Sequence, residues 1–200
     1  MIAIIDYGMG NLHSVKNALD NLFIDSEIIV NPKELFHYKS AILPGVGSFK
    51  KAMQNLEEYN WANEIINYSR ERPLLGICLG MQLLFSLSYE GGKCEGLGIF
   101  EGEVNKIQTN LALPHVGWNS LSIKKNGNIL DKVNQEIDVY FVHSYECIPS
   151  DSNDIICTVD YGKEIVAGVS KDNLFGLQFH PEKSHPSGLI MLENFFKLST

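Results

Sequence analysis

The chain has 200 residues, 44% of them hydrophobic and 20% charged, which is enough to bury one full-sized core and too apolar for a disordered segment. Its formal net charge of -8 is offset by no Lys/Arg run, so it repels phosphate backbones and anionic lipid and argues against nucleic acid and membrane partners. The start Met1-Ile2-Ala3-Ile4-Ile5-Asp6 lacks a basic leader and falls short of the ~7–15 apolar residues of a signal peptide. Cys78, Cys94, Cys147 and Cys157 form no Cys-x-x-Cys pair, so the expectation is one reduced, cytoplasmic domain over residues 1–200.

Ile2–Asp6 reads as a short buried strand, followed by a turn at Tyr7-Gly8-Met9-Gly10. Asn11 is placed to cap a helix running to Asn21, with Leu12, Val15, Ala18, Leu19 and Leu22 on one face. Glu27–Val30 and Ser40–Leu43 are two more short strands, and Phe49–Arg70 is helical with a break near Tyr59-Asn60. Leu74–Ile77 is a strand, and the apolar run Leu79–Leu87 reads as a buried helix. Alternation of strand and helix predicts a parallel sheet covered on both faces. Beyond it, Val104–Ile107, Ser120–Ile123, Asp138–Val142, Ile155–Tyr161, Ile165–Ser170 and Leu174–Phe179 are short strands with few helices between them. They predict an antiparallel extension of that sheet. Gly188–Leu198 closes the chain as a helix. The expected fold is therefore α/β, a single domain whose central sheet is mainly parallel. Tyr89–Glu95 and Lys124–Gln135 carry no assignable motif.

The chemistry sits at the ends of these strands. Gly76-Ile77-Cys78-Leu79-Gly80 matches the Gly-x-nucleophile-x-Gly elbow, with cysteine as the nucleophile. A side chain lifted onto a tight strand-to-helix turn strains its own backbone, and neighbours two positions away must be small to avoid collision. A thiol there also faces the positive end of a helix dipole. Taken alone, the match fits a buried small hydrophobe as well as it fits a nucleophile.

A second signal favours the nucleophile. The strand Leu174–Phe179 ends in His180-Pro181-Glu182, where a strand end beside the elbow would deliver a general base to the thiol. Glu182 could then fold back to hold the imidazole in its productive tautomer. His13, His37, His115 and His185 are read as structural. The His-x-Glu of a zinc deaminase is excluded because no Pro-Cys-x-x-Cys follows. Gly8-Met9-Gly10 and Gly45-Val46-Gly47 lack the third glycine of a dinucleotide loop, where His13 and Lys50 stand. No metal and no nucleotide cofactor is implied. Leu43-Pro44-Gly45-Val46-Gly47 is a strand end whose turn could present backbone N–H groups to a developing oxyanion, or be an ordinary tight turn.

Taken together, Pro44-Gly45-Val46-Gly47, Gly76-Ile77-Cys78-Leu79-Gly80-Met81-Gln82 and His180-Pro181-Glu182 resemble the class I (triad) glutamine amidotransferases over nearly the whole chain. The resemblance implies a flavodoxin-like fold, with Cys78 as nucleophile, His180 as acid/base and Glu182 as its orienting partner. It puts the oxyanion site at Gly45, Val46, Gly47 and Leu79, and substrate contacts at Gln82, His143, Ser144 and Tyr145.

A narrower set of segments looks like the glutaminase subunits of imidazole glycerol phosphate synthases. These are Asp6–Leu12, Pro114–Asn119, Tyr140–Tyr145 and Gln178–Ser184. This likeness implies hydrolysis of L-glutamine to L-glutamate and ammonia for histidine biosynthesis, and a (β/α)8-barrel cyclase partner in a heterodimer. Trp118, Asn119, Tyr140 and Lys183 would then approach that interface. Three other readings stay open at this point: a relative feeding ammonia to sugar amidation in surface-glycan synthesis, a cysteine peptidase on the same elbow, and a non-catalytic α/β interaction subunit.

Overall fold

The computed structural model describes residues 1–134 and 136–198; Gln135, at the end of the second motif-free stretch, lies outside them. The chain begins with strand β1 (Ile2–Ile5), helix α1 (Leu12–Asn21), β2 (Ser26–Ile29), β3 (Ser40–Gly45), α2 (Phe49–Glu58), α3 (Trp61–Ser69), β4 (Leu74–Cys78) and the short α4 (Leu79–Leu83). A run of strands follows: β5 (Phe85–Ser88), β6 (Cys94–Glu95), β7 (Phe100–Lys106), β8 (His115–Ile123), β9 (Glu136–His143), β10 (Tyr145–Pro149), β11 (Ile155–Asp160), β12 (Glu164–Lys171) and β13 (Leu174–Leu177). Helix α5 (Ser187–Lys197) ends the described chain.

The main sheet has nine strands in the order β2-β1-β3-β4-β13-β12-β11-β8-β9. Its first five are mutually parallel and the remaining pairings are antiparallel, so the expected parallel core with an antiparallel extension is what forms. The parallel strands are apolar on both faces because both are covered. Ile2 and Ile4 join the core shared with α1 and α5, whereas Ala3 and Ile5 point to the core under α2 and α3. The expected break between α2 and α3 occurs at Asn60, which adopts the left-handed conformation at φ 61°. Asn11 does not cap α1 through its side chain; its backbone carbonyl accepts from Val15 N at 3.3 Å instead.

The sequence expectation fails most clearly at Leu79–Leu87, where the helix stops at Leu83 and Phe85–Ser88 becomes a strand. The carbonyls that a longer helix would need are already occupied. Leu83 O accepts from Leu97 N at 2.9 Å, and Leu84 O accepts from Ile99 N and Phe100 N, each at 2.9 Å. Phe85 then stacks on Phe100 with ring centroids 5.7 Å apart. An apolar run of this length carries no periodicity that separates helix from strand, and the distant segment decides it. The result is a second, four-stranded sheet in the order β10-β7-β5-β6, which the strand pattern did not reveal. Tyr145–Pro149, one of its strands, was not among the predicted elements.

Candidate active site

The sheet order puts the two sequence signals side by side. β4 and β13 are adjacent and parallel, with Ile77 opposite Leu177, so Cys78 and the segment Gln178–His180 leave the same end of the sheet. This is the carboxyl end of a parallel sheet, where ligands of open α/β folds bind. Cys78 sits at φ 56°, a left-handed conformation that a non-glycine residue adopts only when its surroundings enforce it. The enforcement is steric: a Cβ on Gly80 would overlap the Leu43 carbonyl, and one on Gly76 would lie 2.7 Å from Gly80 O. The two glycines let the elbow pack directly on β3. The helix behind Cys78 is little more than one turn, so the dipole expected to act on the thiol is correspondingly short.

His180 and Glu182 are buried and lie on a 3-10 turn. Glu182 Oε1 accepts from His180 Nδ1 at 2.8 Å, which leaves Nε2 for the hydrogen bond to Cys78. Burial is the largest influence on the imidazole and pushes its pKa down. The hydrogen bonds to Cys78 and Glu182, together with their charges, outweigh it and raise the pKa to about 10. The row Glu182–His180–Cys78 thus holds a proton on the imidazole next to the sulfur. Ser184, fully buried, fixes the turn: its hydroxyl donates to His180 O at 2.6 Å and accepts from Tyr140 N at 2.9 Å. Nothing in the local sequence marks Ser184 for this task beyond its place in the His180–Ser184 segment.

A cavity of about 190 Å³ opens over the sulfur, lined by Val46, Gly47, Leu79, Gln82, Glu90, Val142, His143, Tyr145, His180 and Lys183. Of the four residues assigned to the oxyanion site, Val46, Gly47 and Leu79 line it; Gly45 lies behind it, opposite Cys78 in the β3–β4 ladder. Gly47 is at φ 106°, so the turn has the glycine-dependent shape expected of it. A Cβ on Gly45 would come within 2.6 Å of the Tyr7 hydroxyl, a buried group with no hydrogen-bond partner among the described residues. Burial, and then the neighbouring Cys78, push the ionisation of Tyr7 far up, so it stays neutral.

Among the expected substrate contacts, Gln82, His143 and Tyr145 line the cavity and Ser144 does not. Glu90, in a stretch without any motif, enters the wall because β5 delivers it there; its Oε2 accepts from Phe49 N at 2.8 Å. Of the residues expected at a partner interface, only Lys183 reaches the cavity; its ammonium lies 5.6 Å from the centroid of the Tyr140 ring. Trp118 packs edge-on against Tyr140 at 5.9 Å and is 56% exposed. Asn119 is turned into its own sheet, where its amide donates to Asp160 O at 2.8 Å.

Residues 3–198 match the family model for class-I glutamine amidotransferases. The same fold is found in the structure of PurLQS from Thermotoga maritima, with a TM-score of 0.79 at 19% identity over 100% of this chain and 98% of that one. Closer in sequence are the HisH proteins of imidazole glycerol phosphate synthases. That of Caldanaerobacter subterraneus subsp. tengcongensis is 49% identical over 98% of this chain and 97% of its own length. That of Aquifex aeolicus is 45% identical over 96% and 94%. The chain is a class-I glutamine amidotransferase and, within that class, belongs to the family of imidazole glycerol phosphate synthase HisH subunits.

Proposed function

We propose that the chain is the glutaminase subunit of an imidazole glycerol phosphate synthase, hydrolysing L-glutamine and passing the ammonia to a cyclase of (β/α)8-barrel form for histidine biosynthesis. The reduced cysteine set fits work in the cytoplasm. The observation that carries the reading is His180, hydrogen-bonded to Glu182 and with its pKa raised by Glu182 and Cys78 together, at the floor of a small cavity whose wall offers Gln82 and Glu90. A carboxylate and an amide in the same small cavity as a nucleophile suit an amino acid with an amide side chain, the Glu90 charge facing its α-ammonium group.

In the first half-reaction the Cys78 thiolate attacks the side-chain carbonyl carbon of glutamine. The negative oxygen that forms is met by backbone N–H groups of Leu79 and the Val46–Gly47 turn. The C–N bond then breaks as His180 Nε2 gives its proton to the departing nitrogen, which leaves as ammonia. In the second, neutral His180 takes a proton from water, the hydroxide adds to the γ-glutamyl thioester, and the C–S bond breaks to return thiolate and glutamate. Ammonia released into bulk water would be protonated and lose its nucleophilicity, so the producer gains by docking against the consumer. Val46, Val116, Trp118 and Val142 are all exposed on β8, β9 and the neighbouring oxyanion turn, an apolar rim that fits such a docked partner.

The deciding measurement is glutamate release from glutamine by the purified chain, alone and with the cyclase plus its nucleotide ligand. Strong stimulation by the partner, abolished in Cys78→Ala, is the expected result. A wild-type rate indifferent to the cyclase would reject the histidine pathway while leaving the cysteine chemistry standing.

A further inference from the structure

At the cavity wall two buried histidines meet, His143 lining it and His115 behind. His115 on β8 and His143 at the end of β9 are opposite each other in the ladder, with His115 Nδ1 and His143 Nε2 3.0 Å apart. Their tautomers follow from what flanks them. The Tyr145 carbonyl, 2.9 Å from His143 Nδ1, can only accept, so Nδ1 carries the proton and Nε2 is bare. His115 must then donate from Nδ1, which leaves its own Nε2 as an acceptor. The Asn119 amide nitrogen stands 3.4 Å from it, and that amide's orientation is fixed by its second bond, to Asp160 O. Stacking of the His115 ring between Tyr161 and Phe141, at 3.9 and 4.7 Å, holds it in line.

Every contact in this row has one proton only while both rings are neutral. A proton added to either ring sets two N–H groups against each other. The environment enforces neutrality: burial lowers the pKa of His115, and burial, most strongly, takes that of His143 down to about 4. At the other end, the Tyr145 carbonyl also accepts from Gln82 Nε2 at 3.4 Å. Gln82 Nε2 donates in turn to Gln178 Oε1 at 3.0 Å, and Gln178 Nε2 reaches Cys78 Sγ at 3.9 Å. The row therefore staples the corner at Ser144, where the chain passes from the nine-stranded sheet to the four-stranded one, and aligns that corner with Gln82.

We propose that His115 and Asn119 are positioning residues for glutamine turnover: by fixing one neutral tautomer on each histidine they hold the Tyr145 carbonyl and Gln82 in the arrangement that receives the substrate. Neither touches the cavity. The proposal rests on the glutaminase reading above and assigns His115, which the sequence marks only as structural, a task in substrate recognition.

The test combines ring 15N NMR of the full chain at neutral pH with glutamine kinetics of the complex with the cyclase. In the wild type, His143 should be protonated on Nδ1 only and His115 on Nδ1 only. His115→Phe keeps the aromatic stack and removes both nitrogens. Asn119→Asp, at the half-exposed edge, places an acceptor against His115 Nε2 and should draw a proton onto it. Both should raise the KM for glutamine by about tenfold, the worth of one well-placed hydrogen bond. Alkylation of Cys78 by iodoacetamide, which reads the triad without the glutamine contacts, should change by less than about twofold. If His115→Phe fails to fold, Asn119→Asp carries the test. A wild-type spectrum with His115 protonated on Nε2 overturns the proposal, as does an unaltered KM in the variants. A wild-type complex that releases no glutamate refutes the glutaminase reading itself, and does so before any variant is compared.

Discussion

On one side of the cavity Cys78 is held by backbone packed against backbone; on the other, the His143–Tyr145 corner is held by side-chain hydrogen bonds drawn from several strands. The elbow needs only five consecutive residues and the carbonyl of Leu43, and its tolerances are set by hard contacts. The corner needs His115, 28 residues away, and Gln82, 63 residues away, and its tolerances are set by which atom carries a proton. A wall of the first kind should fail abruptly when an atom is added. One of the second kind should fail gradually, and with pH.

The abrupt failure is the larger effect. Gly80→Ala puts a methyl group onto the Leu43 carbonyl, where no side chain can move aside. The expected cost is about 3 kcal/mol or more in chemical denaturation, with glutaminase activity lost. Gly91→Ala serves as the contrast: unlike Gly80 it is left-handed, at φ 68°, and no atom of the described residues lies within 4 Å of its Cβ. It should cost about 1 kcal/mol, the backbone strain alone. Equal denaturation midpoints for the two variants would mean that the elbow is not held by close packing.

Between the two walls lies His180, held by both geometry and charge. In Glu182→Gln the amide keeps the volume and removes the negative partner of the imidazolium. The pKa of about 10 should fall, and the alkaline limb of kcat/KM, measured in the complex, should move to lower pH. The rate should drop on the order of 10²–10⁴-fold, the usual contribution of a positioned acid/base. An alkaline limb that stays in place would detach the limb from His180.

The difference between the walls also decides what the sequence discloses. The elbow was legible because sterics dictate residue types at adjacent positions: Gly76, Cys78 and Gly80 announce themselves, and His180 follows because a strand end had to meet them. The parallel half of the sheet was legible for a related reason, each strand being an apolar run between turns. The second sheet was not. Phe85–Ser88 is a strand only because residues 97–100 claim the carbonyls of Leu83 and Leu84, a bond between segments with no shared pattern. Glu90 carries no local signal for the same reason, since it acts through a group dozens of positions away, and Ser184 does so in part, through Tyr140 N. His115 looks like any core histidine until His143 is placed against it.

The slowest failure is the titration of the buried His143 and His180, and it should appear in stability on both sides of neutrality. His143 is depressed to about 4 from an ordinary 6.5, so below pH 6.5 the unfolded chain binds a proton that the folded chain refuses. Its contribution to stability is lost as the pH falls from 6.5 toward 4. His180 has the opposite sign: with its pKa raised to about 10, it stabilises the fold fully below 6.5 and loses that contribution as the pH climbs through 10. Each of these two groups contributes at most one proton to its slope, about 1.4 kcal/mol per pH unit, and His115, also lowered by burial, adds to the acid side. Urea midpoints taken across this range should decline in both directions in the wild type. His143→Gln should make the acid side shallower and Glu182→Gln the alkaline side, each leaving the other slope in place. An acid slope as steep in His143→Gln as in the wild type would mean that His143 is not the group excluding the proton, and the corner would have to be held by something other than its neutral ring.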